Sequence, residues 1–294
     1  MAVKALGSSK LILGDDLSEK IAKPLIPAAT IMLLRDGEPG LEVFMVVRHH
    51  QIDFASGALV FPGGKLDEGD KAPAIRARCD GADGVSDDEL AIQVAAIREA
   101  FEECGVLLAR PKGSTSFVDG KRLESMEPWR NKLHKGEVPM ADFLEQEDLH
   151  LACDALVPFA HWITPKMMPK RFDTYFYLAA APDDHLAVHD GHESVDSVWI
   201  EPAAALKDAE ECCTDPSLLI IDAEEKRRTI IFPTRLNVEK LGRSLNVAAA
   251  LSTAQATQVV TVEPVVREID GVSKLCIPAE ADYSVVEESM DRIN

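Results

Sequence analysis

The stretch Arg98-Glu99-Ala100-Phe101-Glu102-Glu103-Cys104-Gly105-Val106 carries most of the chemistry legible in this sequence. Three carboxylates, Glu99, Glu102 and Glu103, stand at i, i+3 and i+4, so in a helix they share one side. Gly105 is the residue type that takes the left-handed position after a last helical turn, which places the helix end directly behind them. Anions at that end oppose the macrodipole by about 0.3–1 kcal/mol each, and like charges one turn apart repel. A place that breaks several local rules at once reads as a site. A hard divalent cation would relieve the crowding, since it takes oxygen ligands and leaves positions for water and phosphate oxygens. The competing reading is a solvated acidic face, a common use of charge runs in a chain with 50 acidic residues.

The elements that must position these side chains follow from the pattern. Ser86-Asp87-Asp88-Glu89 is a capping box, opening a helix whose core-facing positions are Leu90, Val94, Ile97 and Phe101. Upstream, Ala28–Leu34 and Glu42–Val47 are β-type runs around the turn-rich Arg35–Gly40, a hairpin whose second strand ends at Arg48-His49-His50. In Ala58–Asp67 a short apolar strand runs into Pro62-Gly63-Gly64, where the backbone can turn sharply and approach a ligand. An ordinary turn explains that glycine pair equally well. Residues 70–85 read as a surface insertion. Residues 110–150 read as a second insertion or lid, polar and helical, interrupted at Pro128, Gly136 and Pro139. Strands are expected at Leu11–Leu13, Tyr175–Ala179, Asp196–Ile200 and Val259–Val262, and helices from Pro202 and over Arg235–Leu251.

Composition narrows the function classes. A formal net charge of −19 argues against unaided binding to nucleic acid or an anionic membrane, which need a basic surface. No apolar run approaches the ~18 residues of a membrane span, and Met1–Asp16 shows no secretory signal. The six cysteines form no C-x-x-C pair and read as reduced thiols of a cytoplasmic protein. At 294 residues with 46% hydrophobic content, the chain can bury a large core.

Gly64, followed downstream by Arg98-Glu99-x-x-Glu102-Glu103-x-Gly105-Val106, resembles the box of Nudix hydrolases. The second half of that box is complete. In the first half, Asp70 stands where the family has glutamate, and residues 71–97 number 27 where the pattern has seven, 20 more than expected. Phe61-Pro62-Gly63-Gly64 with Asp67, the interrupted box, Trp162-Ile163-Thr164-Pro165 and Arg171-Phe172-Asp173-Thr174 are similar to long Nudix proteins related to peroxisomal acyl-coenzyme A diphosphatase. The resemblance implies an α/β (α+β) fold, an α/β/α sandwich around a mixed sheet. It implies a single domain with its core over about 25–206 and a C-terminal extension over 207–294. It further implies that Glu99, Glu102 and Glu103 bind Mg²⁺ or Mn²⁺, that Gly64 shapes the loop facing the helix, and that Arg98 holds a glutamate in place. The implied reaction is attack of water on a small-molecule diphosphate such as coenzyme A or acyl-coenzyme A. Nucleotide sugars, dinucleotides and NADH remain open as substrates, and the broken first half admits a nucleotide-binding sensor without hydrolysis.

Further groups carry two readings each. Glu193 is a candidate base or extra metal ligand, or else a solvated loop residue. Gly63, Arg48 and Arg171 are candidate substrate contacts; for each arginine a structural ion pair competes, since its fork suits phosphate and carboxylate alike. His185, His189 and His192 with Asp190 and Glu193 fit no standard metal spacing and read as a polar loop. Trp162 and Phe172 read as packing rather than base stacking. No P-loop or dinucleotide-binding glycine pattern is present.

Overall fold

The computed structural model describes residues 24–38, 40–48, 58–185, 187, 194–213 and 229–290; for residues 48, 194, 195 and 208–213 it describes the backbone alone. The expected strand at Leu11–Leu13, together with His189, His192 and Glu193, lies outside the described residues.

Strand β1 (Leu25–Asp36) turns through Gly37 and Gly40 into β2 (Leu41–Arg48), and β3 (Leu59–Val60) and β4 (Gly63–Lys65) follow. A 3₁₀ turn over Glu68–Lys71, the one-turn helix α1 (Pro73–Arg76) and β5 (Cys79–Asp80) precede the long helix α2 (Asp87–Cys104). Next come β6 (Ala109–Pro111), α3 (Gly120–Ser125), α4 (Glu127–His134), α5 (Met140–Gln146) and β7 (Leu149–Ala152). The chain then runs through β8 (Val157–Ile163), β9 (Arg171–Ala180) and β10 (Ser194–Ile200). Helices α6 (Pro202–Cys213), α7 (Phe232–Leu241) and α8 (Val247–Ala256) lead to β11 (Thr261–Val262), β12 (Val265–Ile269), β13 (Val272–Cys276) and β14 (Glu287–Ser289).

The main sheet is mixed, in the order β10-β2-β1-β9-β8-β11, with β3 beside β2 and β4 beside β1. The β1–β9 and β8–β11 pairs are parallel, and the others antiparallel. Period-two alternation sends β1 side chains to opposite faces. Ala29, Ile31 and Leu33 pack under α2 and the α3–α5 region, while Met32 and Leu34 pack with α6, α7 and α8. This is the expected α/β/α sandwich. No helix among the described residues is long and apolar enough to cross a membrane.

Three details differ from the sequence reading. Ile75, Cys79 and Ala82, inside the stretch read as a surface insertion, are buried in the core beside α2. The helix expected over Arg235–Leu251 is two helices, because Asn246 caps a new one by accepting a hydrogen bond from the Ala249 N–H. The antiparallel sheet β12-β13-β14 was not foreseen, and Tyr283, between β13 and β14, ties the C-terminal part to the sandwich. Its hydroxyl receives the Trp162 indole N–H at 2.8 Å and donates to Asn237 Oδ1 at 2.7 Å. Trp162 is thus a packing residue.

Candidate active site

Both ends of α2 are built as its sequence dictates. The Ser86 hydroxyl accepts the Glu89 N–H at 3.2 Å, and Leu90, Val94, Ile97 and Phe101 are buried. At the far end Gly105 adopts φ 70°, ψ 13°, a conformation that glycine reaches without strain. Glu99, Glu102 and Glu103 therefore emerge on the last two turns of α2, which packs against β4.

Arg98 is the hub of the site, with only 7% of its side chain exposed. Its Nε and Nη2 grip the buried Asp70 carboxylate at 3.0 and 3.1 Å, and Nη2 also donates to the Lys65 carbonyl at 2.9 Å. Its Nη1 reaches Glu99 Oε1 at 2.9 Å and Glu102 Oε2 at 3.2 Å. Asp70 receives the Asp67 N–H as well, at 2.9 Å. The 20 extra residues after Asp70 therefore leave it fixed on Arg98, where it orients the guanidinium. Burial lowers Arg98, but Glu99, Asp70 and Glu102 together outweigh burial and hold it above its usual range.

The glycines give the carboxylates their room. A Cβ on Gly64 would fall inside the Glu99 carboxylate, 2.6 Å from Oε2 and nearer still to Oε1 and Cδ. The Gly63 N–H donates to Glu103 Oε2 at 3.0 Å. Arg98 offsets only part of the negative charge of Asp67, Asp70, Glu99 and Glu102 around it. Burial, with Glu99 adding to it and Arg98 opposing, pushes Glu102 up from 4.5 to about 7.

One contributor had no local sequence signal. From α4, Arg130 donates to the Glu102 carbonyl at 3.0 Å and to the Glu103 carbonyl at 3.1 Å. It answers the orphan carbonyls and negative dipole at this helix end. The residues read as a second insertion or lid thus place α4 against the C-terminal end of α2.

The other site candidates fall elsewhere. Arg171 donates to the Thr164 carbonyl at 3.0 Å and to Glu263 Oε1 at 2.7 Å. That ion pair, to a part-exposed Glu263, is the structural one of its two readings, and a substrate contact by Arg171 stays an expectation. Arg48 ends β2, with its side chain outside the described atoms. His185 is buried and bonded to the Val118 carbonyl at 2.7 Å. Among the described residues no three acidic, histidine or cysteine side chains are already gathered as a metal cage.

A mixed sheet between helical layers, with a glutamate-bearing helix closing on a Gly-Gly strand, is an arrangement similar to that of the Nudix hydrolases. Residues 71–213 match the family model of the NUDT19 Nudix domain. Acyl-coenzyme A diphosphatase NUDT19 of Xenopus laevis is 24% identical, over 57% of this chain and 54% of that protein. The Homo sapiens protein of the same name is 27% identical over 56% and 55%. Putative nudix hydrolase 7 of Caenorhabditis elegans is 29% identical over 57% and 49%. The chain spans about half the length of these curated relatives. The crystal structure of a NUDIX hydrolase from Alicyclobacillus acidocaldarius superposes with a TM-score of 0.62 at 26% identity, covering 79% of this chain and 97% of that one.

Proposed function

We propose that this chain is a metal-dependent pyrophosphohydrolase cleaving the diphosphate of a nucleoside-diphosphate-linked metabolite, with coenzyme A or acyl-coenzyme A as the substrate class. The observation that carries the reading is the arrangement in which Arg98 anchors Glu99 and Glu102 while Gly64 leaves the Glu99 carboxylate its place. The names of the curated relatives support the substrate class.

Glu99, Glu102 and Glu103 offer the hard oxygen donors that suit Mg²⁺ or Mn²⁺, and the local excess of carboxylates favours a cation. When bound, such ions neutralise diphosphate oxygens and acidify a coordinated water. The chain's own groups orient and hold: Arg98 fixes Glu99 and Glu102, and the Gly63 N–H fixes Glu103. In the metal-free chain burial holds Glu102 at about 7, a rise that a bound cation would oppose; the proton acceptor would be whichever carboxylate the ions leave free. Glu193 remains our candidate for the base or an extra metal ligand, and Arg48 for a substrate contact. A reducing, cytoplasmic setting stays our proposal from the cysteine pattern of the sequence.

The test is incubation with Mg²⁺ or Mn²⁺ and a panel of acyl-coenzyme A, coenzyme A, NADH, dinucleotides and nucleotide sugars, with products read by mass spectrometry. Coenzyme A esters should yield acyl-phosphopantetheine and adenosine 3′,5′-bisphosphate. Glu103→Gln should lose orders of magnitude in rate at an unchanged melting temperature. Equal rates in that variant, or saturable nucleotide binding with no product, would overturn the proposal; the second outcome would mark a sensor.

A further inference from the structure

On the sheet face that carries α2, the described residues line an open cleft of about 700 Å³, within the ~300–1,000 Å³ range of small-molecule sites. It is lined from β8 and β9, the first turns of α2, the 3₁₀ turn before α1 and the segment leading into β11. Lys71, Asp88, Glu89 and Ile92 in its wall all belong to residues 71–97, the stretch that exceeds the family spacing by 20. The interruption of the box therefore builds one side of this space.

The cleft adjoins the carboxylate site along the chain. Leu66 in its lining is two residues from Gly64, at most about 7 Å even when fully extended. Lys71, also in the lining, directly follows Asp70, the residue Arg98 holds. One molecule can thus engage both places.

Charge decides which part of a substrate would enter. Asp88, Glu89 and Asp173 stand against Lys71, whose Nζ is already 3.0 Å from Asp88 Oδ1. A phosphorylated nucleoside would meet net negative charge there. The rest of the lining suits an uncharged chain. Leu66, Ile92, Phe176 and Val259 are apolar, and the polar side is held rigid. His161 Nε2 lies 2.5 Å from Asp173 Oδ1, its Nδ1 lies 2.8 Å from Thr261 Oγ1, and its ring stacks on Tyr175 at 4.0 Å. Thr261 and His161 are direct cross-strand partners. With both ring nitrogens engaged, the His161 ring is fixed as part of the wall, and Tyr175 beside it offers a hydroxyl to an amide.

We infer that this cleft receives the uncharged arm of the diphosphate substrate, an amide-bearing alkyl chain of the acyl-pantetheine type, and leaves the phosphorylated nucleoside outside. The inference rests on the diphosphatase reading for its substrate class, but its test needs neither metal nor turnover. Binding of S-hexanoyl-pantetheine, which has no phosphate, is measured by calorimetry on the metal-free full-length chain. Two filling variants at partly exposed lining positions, Val259→Trp and Thr261→Tyr, are compared after their melting temperatures are checked, so that either can decide if the other fails to fold. Wild type should bind, and a folded filling variant should bind at least about tenfold more weakly, since a single methylene in such a pocket is worth that much. No binding to wild type, or equal binding to a folded filling variant, would overturn the assignment. Binding of the arm by a chain that hydrolyses no diphosphate would support the cleft and refute the enzymatic reading.

Discussion

Replacing Gly64 with alanine separates catalysis from folding at this site. Gly64 pairs with Ala29 in the main sheet, and its backbone is not in the left-handed region, so alanine is tolerated there conformationally. What the new methyl meets is the Glu99 carboxylate, 2.6 Å away at Oε2 and nearer at Oε1 and Cδ. Ordinary contact needs about 3.5 Å, so the carboxylate must retreat by about 1 Å. That group ends a flexible side chain, and the retreat should cost about 1 kcal/mol or less, a melting shift within about 4 °C. Its 2.9 Å bond to Arg98 is lost, and misplacing a catalytic group by about 1 Å can cost 10²-fold. Gly63→Ala is the control, because its Cβ would press into the backbone of β1, 2.8 Å from Thr30 Cα and nearer still to the Ala29 carbonyl oxygen. It should lower stability by about 1–3 kcal/mol or more. Steady-state kcat/KM and thermal melts of both variants supply the assay. If Gly64→Ala keeps the wild-type rate, or loses rate only because it unfolds, the argument from Glu99 fails.

Three other outcomes follow from the same geometry. Arg98→Met strands the Asp70 carboxylate, 3% exposed, and should cost about 3–5 kcal/mol in denaturant melts, much of it recovered in the double variant with Asp70→Asn. Glu102 binds its proton more tightly folded, at about 7, than at its ordinary 4.5. Its ionisation therefore burdens the metal-free fold as pH rises through that window; the displacement corresponds to roughly 3 kcal/mol at most. Glu102→Gln should accordingly stabilise the EDTA-treated chain at pH 8, with the gain vanishing below about pH 4.5; equal melts at both pH values would contradict this. Arg171→Ala should lower stability by about 1–3 kcal/mol through its lost bonds to Glu263 and Thr164 and leave KM unchanged; a raised KM at unchanged stability would make it a substrate ligand after all.

The helix and its acidic tail were legible because both are local. Ser86, Gly105 and the spacing of Glu99, Glu102 and Glu103 lie within one element, and the β1–β2 hairpin shows in alternation and turn residues alone. What relieves the crowded helix end was legible only in part. Arg98 precedes the glutamates in sequence, but its grip on Asp70 crosses 28 positions, and Arg130 comes from a helix whose polar surroundings suggested only a lid. Asn246 is a residue type that caps helices, and it lies inside the span Arg235–Leu251 expected to form one helix. The exposure pattern of β12 and β13 is weak, since most of their side chains face solvent. Residues 70–85 read as surface because their charges outnumber the apolar residues that matter, Ile75 and Cys79.

The acidic C-terminal end of α2 is expected to hold divalent cations. Crystals grown with Mn²⁺ and measured at the manganese absorption edge test it most directly. Anomalous density is expected among the carboxylates of Glu99, Glu102 and Glu103, absent in Glu99→Gln/Glu103→Gln. Manganese found only at other acidic patches, or the same density in that double variant, would contradict it.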